Sequence, residues 1–256
     1  MRCIIVKKMF NNFLLMIQFM TRININRNLD CQEENFKWGS IFMPVIGLII
    51  GGIQWITYKL LVNVLPMNIS VTAVILAGIL LTGAMHMDGF GDMCDGFFAF
   101  KGRDKIIEIM KDSRVGTYSC IAIVMDILFK YNLLCYIAPV FSVSIIIAPV
   151  ISRLSTLFLV SVCKPAKSTG TGNLFMDSVN ISQFFAGTAI SAGILLSVVA
   201  VDPKYLVLLV ISAIMISFCF SLYCKRKIGG MTGDLLGANN EIIEISILVI
   251  ISIMMG

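Results

Sequence analysis

Charged residues are scarce in this chain, because Asp, Glu, Lys and Arg make up only 14% of its 256 residues. Soluble domains carry about 25% of such residues, so the composition argues against an ordinary water-soluble fold. Hydrophobic residues reach 58% and the mean hydropathy is +0.92. We therefore expect an all-α, polytopic integral membrane protein, since about 20 apolar residues span a bilayer core.

A linker is also absent, so residues 1–256 are expected to form one membrane-embedded domain. About seven apolar runs are long enough to span a bilayer. A shorter apolar run at 9–20 follows basic residues and is expected to lie in the membrane interface as an N-terminal helix. The expected spans are 41–63, 69–90, 115–134, 136–160, 184–201, 204–223 and 242–256.

Histidine is nearly absent, and the cysteines are not paired in sequence. His86 is the only histidine, and none of the eight cysteines belongs to a C-x-x-C pair. This argues against a structural zinc site, which needs several such ligands at short spacing. Most cysteines fall inside the expected spans, where they are expected to be small buried hydrophobic residues in a reducing compartment.

Positive charge collects on one side of the expected spans, and the opposite connections are nearly uncharged. The basic segments are 1–27, 101–114, 164–167 and 225–227, and the nearly uncharged connections are 64–68, 130–132 and 202–204. This bias predicts a cytoplasmic N-terminus and a functional site on the cytoplasmic side. The dispersion of the basic residues argues against a nucleic-acid partner.

Three aspartates, Asp88, Asp92 and Asp95, follow an apolar run at positions i, i+4 and i+7. On an α-helix their carboxylates fall within roughly 60° of one face. Like charges repel and are costly near a membrane, so this pattern favours a bound divalent cation with oxygen ligands, Mg²⁺. A helix-capping or solvated cluster is the alternative. Glycines at 89, 91 and 96 are expected to let a bulky substrate approach the helix.

A second group of candidates lies outside the aspartates. Asp112 and Arg114 stand where a span begins, and a carboxylate and a guanidinium there suit metal and phosphate respectively. Asp112 is therefore a fourth candidate metal ligand, and Arg114 a candidate catalytic residue. Arg22 and Arg153 are weaker candidates for binding phosphate. Because Arg153 is expected within a span, it either lines a substrate cavity or pairs with another buried charge, and the same holds for Asp126.

His86 precedes Asp88 by two residues and has three alternative roles. It is a structural histidine, a general base for an attacking hydroxyl, or a hydrogen-bonding residue that orients the carboxylates. In the last case, a neighbouring aspartate would accept the proton.

The segment 225–241, KRKIGGMTGDLLGANNE, is rich in glycine. Glycines let backbone N–H groups approach an anion, although the segment is neither a Walker loop nor a dinucleotide fingerprint. It is expected to close over the substrate, with Thr232, Asp234 and Glu241 as substrate-binding residues. An unspecialised flexible loop is the alternative.

Several motifs resemble the adenosylcobinamide-GDP ribazoletransferase family, also called cobalamin synthases. The central ones are HMDGFGDMCDG at 86–96 and EIMKDSRVG at 108–116. Further matches are QFMTR at 18–22, MPVIG at 43–47 and GMTGDLLGA at 230–238. They occur in the expected order and cover nearly the whole chain.

The resemblance implies a Mg²⁺-dependent transferase of a prokaryotic plasma membrane. It would join adenosylcobinamide-GDP to α-ribazole, or to its 5′-phosphate, and release GMP. The corrinoid and ribazole identities rest on this resemblance alone. Membrane lipid would surround the protein, and whether it forms a homo-oligomer stays open.

Two other classes stay open. The pattern D-x-x-D-G-x-x-A at 92–99 also resembles the opening of the CDP-alcohol phosphotransferase signature, which is typical of lipid synthases. Phe100 stands where that signature has arginine, and no later G-x-x-x-D-x-x-x-D follows in register. An ion-coupled transporter would use the aspartates as a relay near the bilayer midplane, whereas here they crowd toward a polar segment.

Overall fold

The computed structural model describes the backbone of residues 2–166, 171–198 and 202–256, and the side chains of 6–166, 175–198 and 202–256. Lys167, part of the basic segment 164–167, lies outside the described residues. A 3-10 turn at Ser40–Phe42 precedes the third helix. The described α-helices are α1 (Arg2–Met20), α2 (Glu33–Gly39), α3 (Met43–Leu61), α4 (Met67–Thr82), α5 (Met85–Phe97), α6 (Arg103–Ile109), α7 (Thr117–Phe141), α8 (Ser144–Val162), α9 (Thr171–Ser178), α10 (Ile181–Val198), α11 (Pro203–Ile228) and α12 (Gly233–Met255).

Six described helical segments are long and apolar enough to cross a membrane, with Glu33–Leu61 taken as one segment. The helices α4 and α5 pass the same test as a pair bent by 88°, which raises the count to seven. The prediction of an all-α polytopic membrane protein is therefore confirmed. The α1 helix begins earlier than the expected segment 9–20 and is not among these candidate spans of the described residues.

The α8 helix forms the centre of the helical bundle. It is buried along most of its length and packs against α3, α10, α11 and α12. Two glycines of α3 allow a close crossing. A Cβ atom on Gly47 would lie 2.5 Å from the Pro149 carbonyl oxygen, and one on Gly51 would lie 2.8 Å from the Ile146 Cα atom. This G-x-x-x-G spacing is typical of closely packed membrane helices.

The span expected at 69–90 is broken in the structure. The α4 helix ends at Thr82, and both Gly83 and Ala84 have left-handed backbones, with φ of 64° and 60°. A left-handed glycine commonly ends a helix, and the second left-handed residue redirects the chain into α5. The expectation of one continuous helix was wrong, and the three aspartates belong to a separate, sharply angled helix.

One end of the bundle brings the polar segments together. The α2 helix packs against α1 and α9, while α6 packs against α5 and α11. At the end of α5, the Lys227 ammonium donates a hydrogen bond to the Phe97 carbonyl oxygen (3.3 Å). The Arg103 guanidinium donates to the Ala166 carbonyl oxygen (2.9 Å). Segments far apart in sequence therefore meet around α5.

Candidate active site

The α5 helix presents its three aspartates on its open face. Asp88 is exposed, and Asp92 and Asp95 are half-buried. The opposite face is buried through residues such as Met93 and Phe97. Helical periodicity explains this division, because positions i, i+4 and i+7 share a face. We call Asp88, Asp92 and Asp95 the aspartate stripe.

The glycines of α5 mark contacts with other helices. A Cβ atom on Gly89 would lie 2.5 Å from the Asp234 carbonyl oxygen on α12. A Cβ atom on Gly91 would lie 2.1 Å from Ser119 Oγ on α7, and one on Gly96 would collide with α6. The expectation that these glycines admit a bulky substrate was wrong, because their missing side chains admit α12, α7 and α6 instead.

The glycine-rich segment 225–241 is mostly helical. The α11 helix continues to Ile228, and α12 begins at Gly233. The Thr232 hydroxyl oxygen accepts a hydrogen bond from the Leu235 N–H (3.3 Å) and so caps α12. The next two turns are largely buried. A mobile lid at this position was the wrong expectation, because helical hydrogen bonds and tertiary packing fix the backbone.

The crossing of α5 and α12 brings Asp234 to the aspartate stripe. The Asp234 Cα atom would lie only 2.8 Å from a Cβ atom on Gly89. The negative charges of Asp234 and of the other two stripe residues all act on the Asp92 carboxyl group. The Lys111 ammonium in turn acts on Asp234. Sequence reasoning missed Lys111 as a site residue, although it lies in a motif that carries the family resemblance.

Asp95 has a structural partner. Its carboxylate accepts hydrogen bonds from the backbone N–H groups of Gly116 (2.7 Å) and Ser119 (3.0 Å). These groups belong to the start of α7, where the first N–H groups of a helix have no intrahelical acceptor. The capping alternative therefore holds for this aspartate, which ties α5 to α7 and keeps its remaining lone pairs for other ligands.

Asp112 and Arg114 bind each other at the surface. The Arg114 guanidinium donates hydrogen bonds to both Asp112 carboxylate oxygens, at 2.6 Å for Nη2 and 3.0 Å for Nε. The Arg114 side-chain hydrogen bonds, followed by that of its backbone N–H, lower the pKa of Asp112 to about 2. The pair is therefore ionised at neutral pH, and the structure does not place Asp112 among the charges that act on Asp92.

The other two arginine candidates occupy different regions. Arg22 is exposed and packs over the break between α4 and α5, where a Cβ atom on Gly83 would lie 2.1 Å from its Nε atom. Arg153 is only 2% exposed and pairs with Glu244 inside the bundle. Arg22 and Arg114 are thus open at the surface, whereas Arg153 is not.

A group of five charged side chains, four of them buried and Glu244 half-buried, lies between α7, α8 and α12, and we call it the buried charge network. Its members are Asp126, Lys130, Arg153, Glu241 and Glu244. The Lys130 ammonium binds Glu241, lies 3.2 Å from Asp126, and lies 3.4 Å from Glu244. Buried charges in membrane proteins face the interior and pair in this way.

The network changes three interpretations of the sequence. Lys130 was assigned to an external connection at 130–132, which was wrong because α7 continues to Phe141. Arg153 and Glu241 were candidate substrate-binding residues, and both are engaged by protein side chains. For Arg153, pairing with a buried charge is the alternative that the structure shows. The spacings Asp-x-x-x-Lys in α7 and Glu-x-x-Glu in α12 were the available signals.

His86 lies on the back of α5. It precedes Asp88 by two residues, which places it about 160° away around the helix. It is 4% exposed, and its Nε2 atom has no hydrogen-bond partner among the described residues. The charges that act on it are those of Arg153, Glu244 and Lys130. His86 therefore faces the buried charge network rather than the aspartate stripe.

His86→Gln should accordingly reduce turnover by less than about tenfold, whereas loss of a general base typically costs about 10²–10⁴-fold. Glutamine retains similar size and hydrogen-bonding capacity at this buried position. Initial rates across pH would be measured with the purified protein in lipid. A loss of about 100-fold or more, together with loss of the acidic limb of the pH profile, would instead identify His86 as the base.

Gly89→Ala should destabilise the protein, because the added Cβ atom would overlap the backbone of Asp234. Overpacking of this kind typically costs about 1–3 kcal/mol. Gly52→Ala is the matched control: Gly52 lies within α3, and a Cβ atom there has nothing within 4 Å among the described residues. Thermal unfolding in lipid would compare the two. Equal unfolding temperatures would contradict the close crossing.

The carboxylates of the aspartate stripe fit Mg²⁺ when water and substrate phosphates complete its coordination. Among the described side chains, no three or more His, Cys, Asp or Glu residues come close enough to hold a metal ion by themselves. Mg²⁺ is usually bound by one or two carboxylates together with waters and substrate phosphates. The exposed Asp88 and the neighbouring Asp92 and Asp234 provide carboxylate oxygens, the ligand type that this mode of binding requires.

Taken together, the fold and the site define a polytopic all-helical membrane protein with a carboxylate-lined site at its polar end. The family model described as cobalamin-5-phosphate synthase matches residues 12–252. The chain belongs to this family, so the resemblance found in the motifs is confirmed, and the CDP-alcohol phosphotransferase and transporter alternatives are not favoured.

Curated relatives agree over nearly the full length. The adenosylcobinamide-GDP ribazoletransferase of Clostridium kluyveri is 53% identical over 248 residues, which cover 97% of this chain and 98% of the relative. The protein of the same name from Clostridium tetani is 48% identical, covering 93% of this chain and 94% of the relative. The one from Clostridium botulinum strain Langeland is 43% identical, covering 97% and 100%. No solved structure matches the chain.

Proposed function

We propose that this protein joins adenosylcobinamide-GDP to α-ribazole, or to its 5′-phosphate, and releases GMP. The observation that carries the proposal is the close approach of Asp234 to Gly89, within the aspartate stripe, in a chain of this family. Carboxylates and nearby cations at an open surface suit a phosphoanhydride substrate, because phosphoryl transfer depends on positioning and charge stabilisation.

The reaction transfers the cobinamide phosphate to a hydroxyl group. The ribazole hydroxyl oxygen forms a bond to the cobinamide-linked phosphorus, and the bond from that phosphorus to the bridging oxygen breaks. GMP leaves with the bridging oxygen, and the hydroxyl proton passes to a carboxylate of the stripe. Asp92, which lies among the other carboxylates, is the acceptor we propose.

Mg²⁺ held by Asp88 and Asp234, together with phosphate oxygens of the substrate, would neutralise charge on the diphosphate and hold it in place. Asp95 would contribute mainly by fixing α5 against α7, given its two backbone hydrogen bonds. Phosphate oxygens would be bound by Lys111 and Arg114, with Arg22 as a weaker contributor. Thr232 would support Asp234 by capping α12.

The site would face the cytoplasm of a prokaryotic cell. The support is the positive charge of the segments that meet around α5, together with the positive-inside rule. Lys227 and Arg103 both make hydrogen bonds at this end of the bundle. GMP would then be released into the compartment that holds soluble nucleotides.

GMP release by the purified protein in lipid tests the proposed function. We expect release from adenosylcobinamide-GDP to require both α-ribazole and Mg²⁺, with one cobalamin product formed per GMP. Equal release without α-ribazole would indicate hydrolysis, and activity with a CDP-alcohol donor in its place would favour the lipid-synthase alternative.

Arg114→Lys should lower activity at least about tenfold although the charge is retained, since arginine binds phosphate bidentately and lysine does not. Arg27→Lys is the control, because Arg27 is also exposed and belongs to another basic segment. Steady-state kinetics should show the loss mainly as a higher KM for adenosylcobinamide-GDP. Full activity of Arg114→Lys would restrict this arginine to its ion pair with Asp112.

A further inference from the structure

The helix α12 carries the site residue and the network residues on one face. Asp234, Gly237, Glu241 and Glu244 are spaced i, i+3, i+7 and i+10, so they lie within roughly 80° around the helix. A Cβ atom on Gly237 would lie 3.1 Å from the His86 Cα atom, which shows that this face meets α5. Any sliding or rotation of α12 would therefore move Asp234 and the two glutamates together.

Polar contacts attach the middle of α12 to α8. The Asn239 side-chain amide donates a hydrogen bond to Ser155 Oγ (3.0 Å), and the Thr156 hydroxyl donates to Asn240 Oδ1 (3.0 Å). One turn further along α12, Glu244 pairs with Arg153 of α8. These contacts follow the buried face of α12 for nearly two turns below the site.

The helix α7 holds α12 from another side. Lys130 binds Glu241, and it is 8% exposed. The start of the same helix α7 is held to α5 by the Asp95 carboxylate. The helices α5, α7 and α12 thus form a triangle, with Gly89–Asp234, Asp95–Gly116 and Lys130–Glu241 as its contacts.

The packing beside the network is incomplete. A cavity of about 60 Å³ borders the network, and its mostly apolar lining includes Lys130, Arg153, Glu241 and Glu244. In a membrane the hydrophobic effect does not hold helices together, because lipid tails are equally apolar, so close packing and interhelical polar contacts hold them. A buried ion pair is weak evidence for stability, but buried polar groups specify register in well-studied systems.

We propose that the buried charge network acts as a register lock for α12, so that Lys130, Arg153, Glu241 and Glu244 are positioning residues that hold Asp234 against the aspartate stripe. The inference rests on the proposed function for what Asp234 does there, but the geometry it predicts can be measured without activity. It assigns to Arg153 and Glu241 a role in helix placement instead of substrate contact.

Cross-linking between α5 and α12 tests the register directly. The paired substitutions Asp88→Cys and Asp234→Cys would be treated in lipid with a short bifunctional thiol reagent, and mass spectrometry would identify the product among the native cysteines. With the network intact, this cross-link should form readily. Adding Arg153→Met should slow it at least about tenfold, a change equal to about 1.4 kcal/mol in the barrier. Adding Arg153→Lys should have a smaller effect.

The matched control is Lys204→Met, which removes an exposed ion pair with Asp202 (2.9 Å) and should leave the cross-linking rate unchanged. Kinetics on the native site give the second readout. Arg153→Met should raise the Mg²⁺ concentration for half-maximal GMP release and lower kcat, since a misplacement of about 1 Å can cost on the order of 100-fold.

Each outcome decides the proposal. An unchanged cross-linking rate in folded Arg153→Met protein would overturn it and leave the network a purely stabilising role, and so would failure of the pair to cross-link with the network intact. If Arg153→Met does not fold, Glu244→Gln removes the charge attraction of the same pair with a smaller change. If Arg153→Met slows cross-linking but GMP release needs no Mg²⁺ in the native protein, the register lock stands and the metal part of the proposed function fails.

Discussion

Asp92→Asn should lower GMP release at least about 1,000-fold, a loss of roughly 4 kcal/mol of transition-state stabilisation. Asparagine keeps the shape of the side chain but removes the charge and the proposed proton acceptor. The charges of the other carboxylates of the site all act on Asp92, and we expect no single neighbour to replace both functions. Turnover of the purified variant at saturating Mg²⁺ would be compared with that of the native protein.

Asp104→Asn serves as the control for this loss. Asp104 lies in the first turn of α6 and is exposed, so the same substitution there should leave turnover within about twofold of native, as expected for a surface site. The equivalent change at Asp88 should resemble that at Asp92. Near-native turnover of both Asp88→Asn and Asp92→Asn in correctly inserted protein would show that the stripe is not the catalytic centre.

The second large effect separates Asp234 from Asp112. Asp234→Asn should cost at least about 100-fold in turnover, because a preorganised charge at the reacting centre contributes about 3–4 kcal/mol. Asp112→Asn should cost less than about tenfold, since Asp112 is bound by Arg114 rather than directed at Asp92. Both variants would be assayed for turnover and for the Mg²⁺ concentration that gives half-maximal activity.

The ratio of the turnover losses of Asp234→Asn and Asp112→Asn is the informative quantity. A larger loss for Asp112→Asn than for Asp234→Asn would restore the ligand set expected from the sequence and contradict the one that the structure favours. Arg114→Lys, measured alongside, separates an effect on phosphate binding from an effect on the Asp112 ion pair.

Sequence alone predicted the class of protein and the residues of the stripe. The low charge and the apolar runs required membrane helices, because buried backbone groups in lipid must be satisfied within helices or closed barrels. The spacing of Asp88, Asp92 and Asp95 required a single helical face, and α5 has that face. Both are local properties of the chain, which composition and periodicity report directly.

The break between α4 and α5, in contrast, was not predicted from the sequence. Gly83 was a visible signal, but a glycine inside an apolar run is compatible with a continuous helix. The left-handed torsion of Ala84, which is unfavourable for a residue with a Cβ atom, accompanies the sideways packing of α5 against α7 and α12. Tertiary contacts therefore decided where the span ends and which way the aspartates face.

Tertiary structure also decided the partners of the long-range charges. Asp234 meets the stripe across 145 residues of sequence from Gly89, and Lys130 meets Glu241 across 111. The sequence identified most of these residues as candidate functional positions, but it could not assign their partners. Local spacing fixes which side chains share a helix face, while the close crossings permitted by Gly89 and Gly91 fix which faces meet.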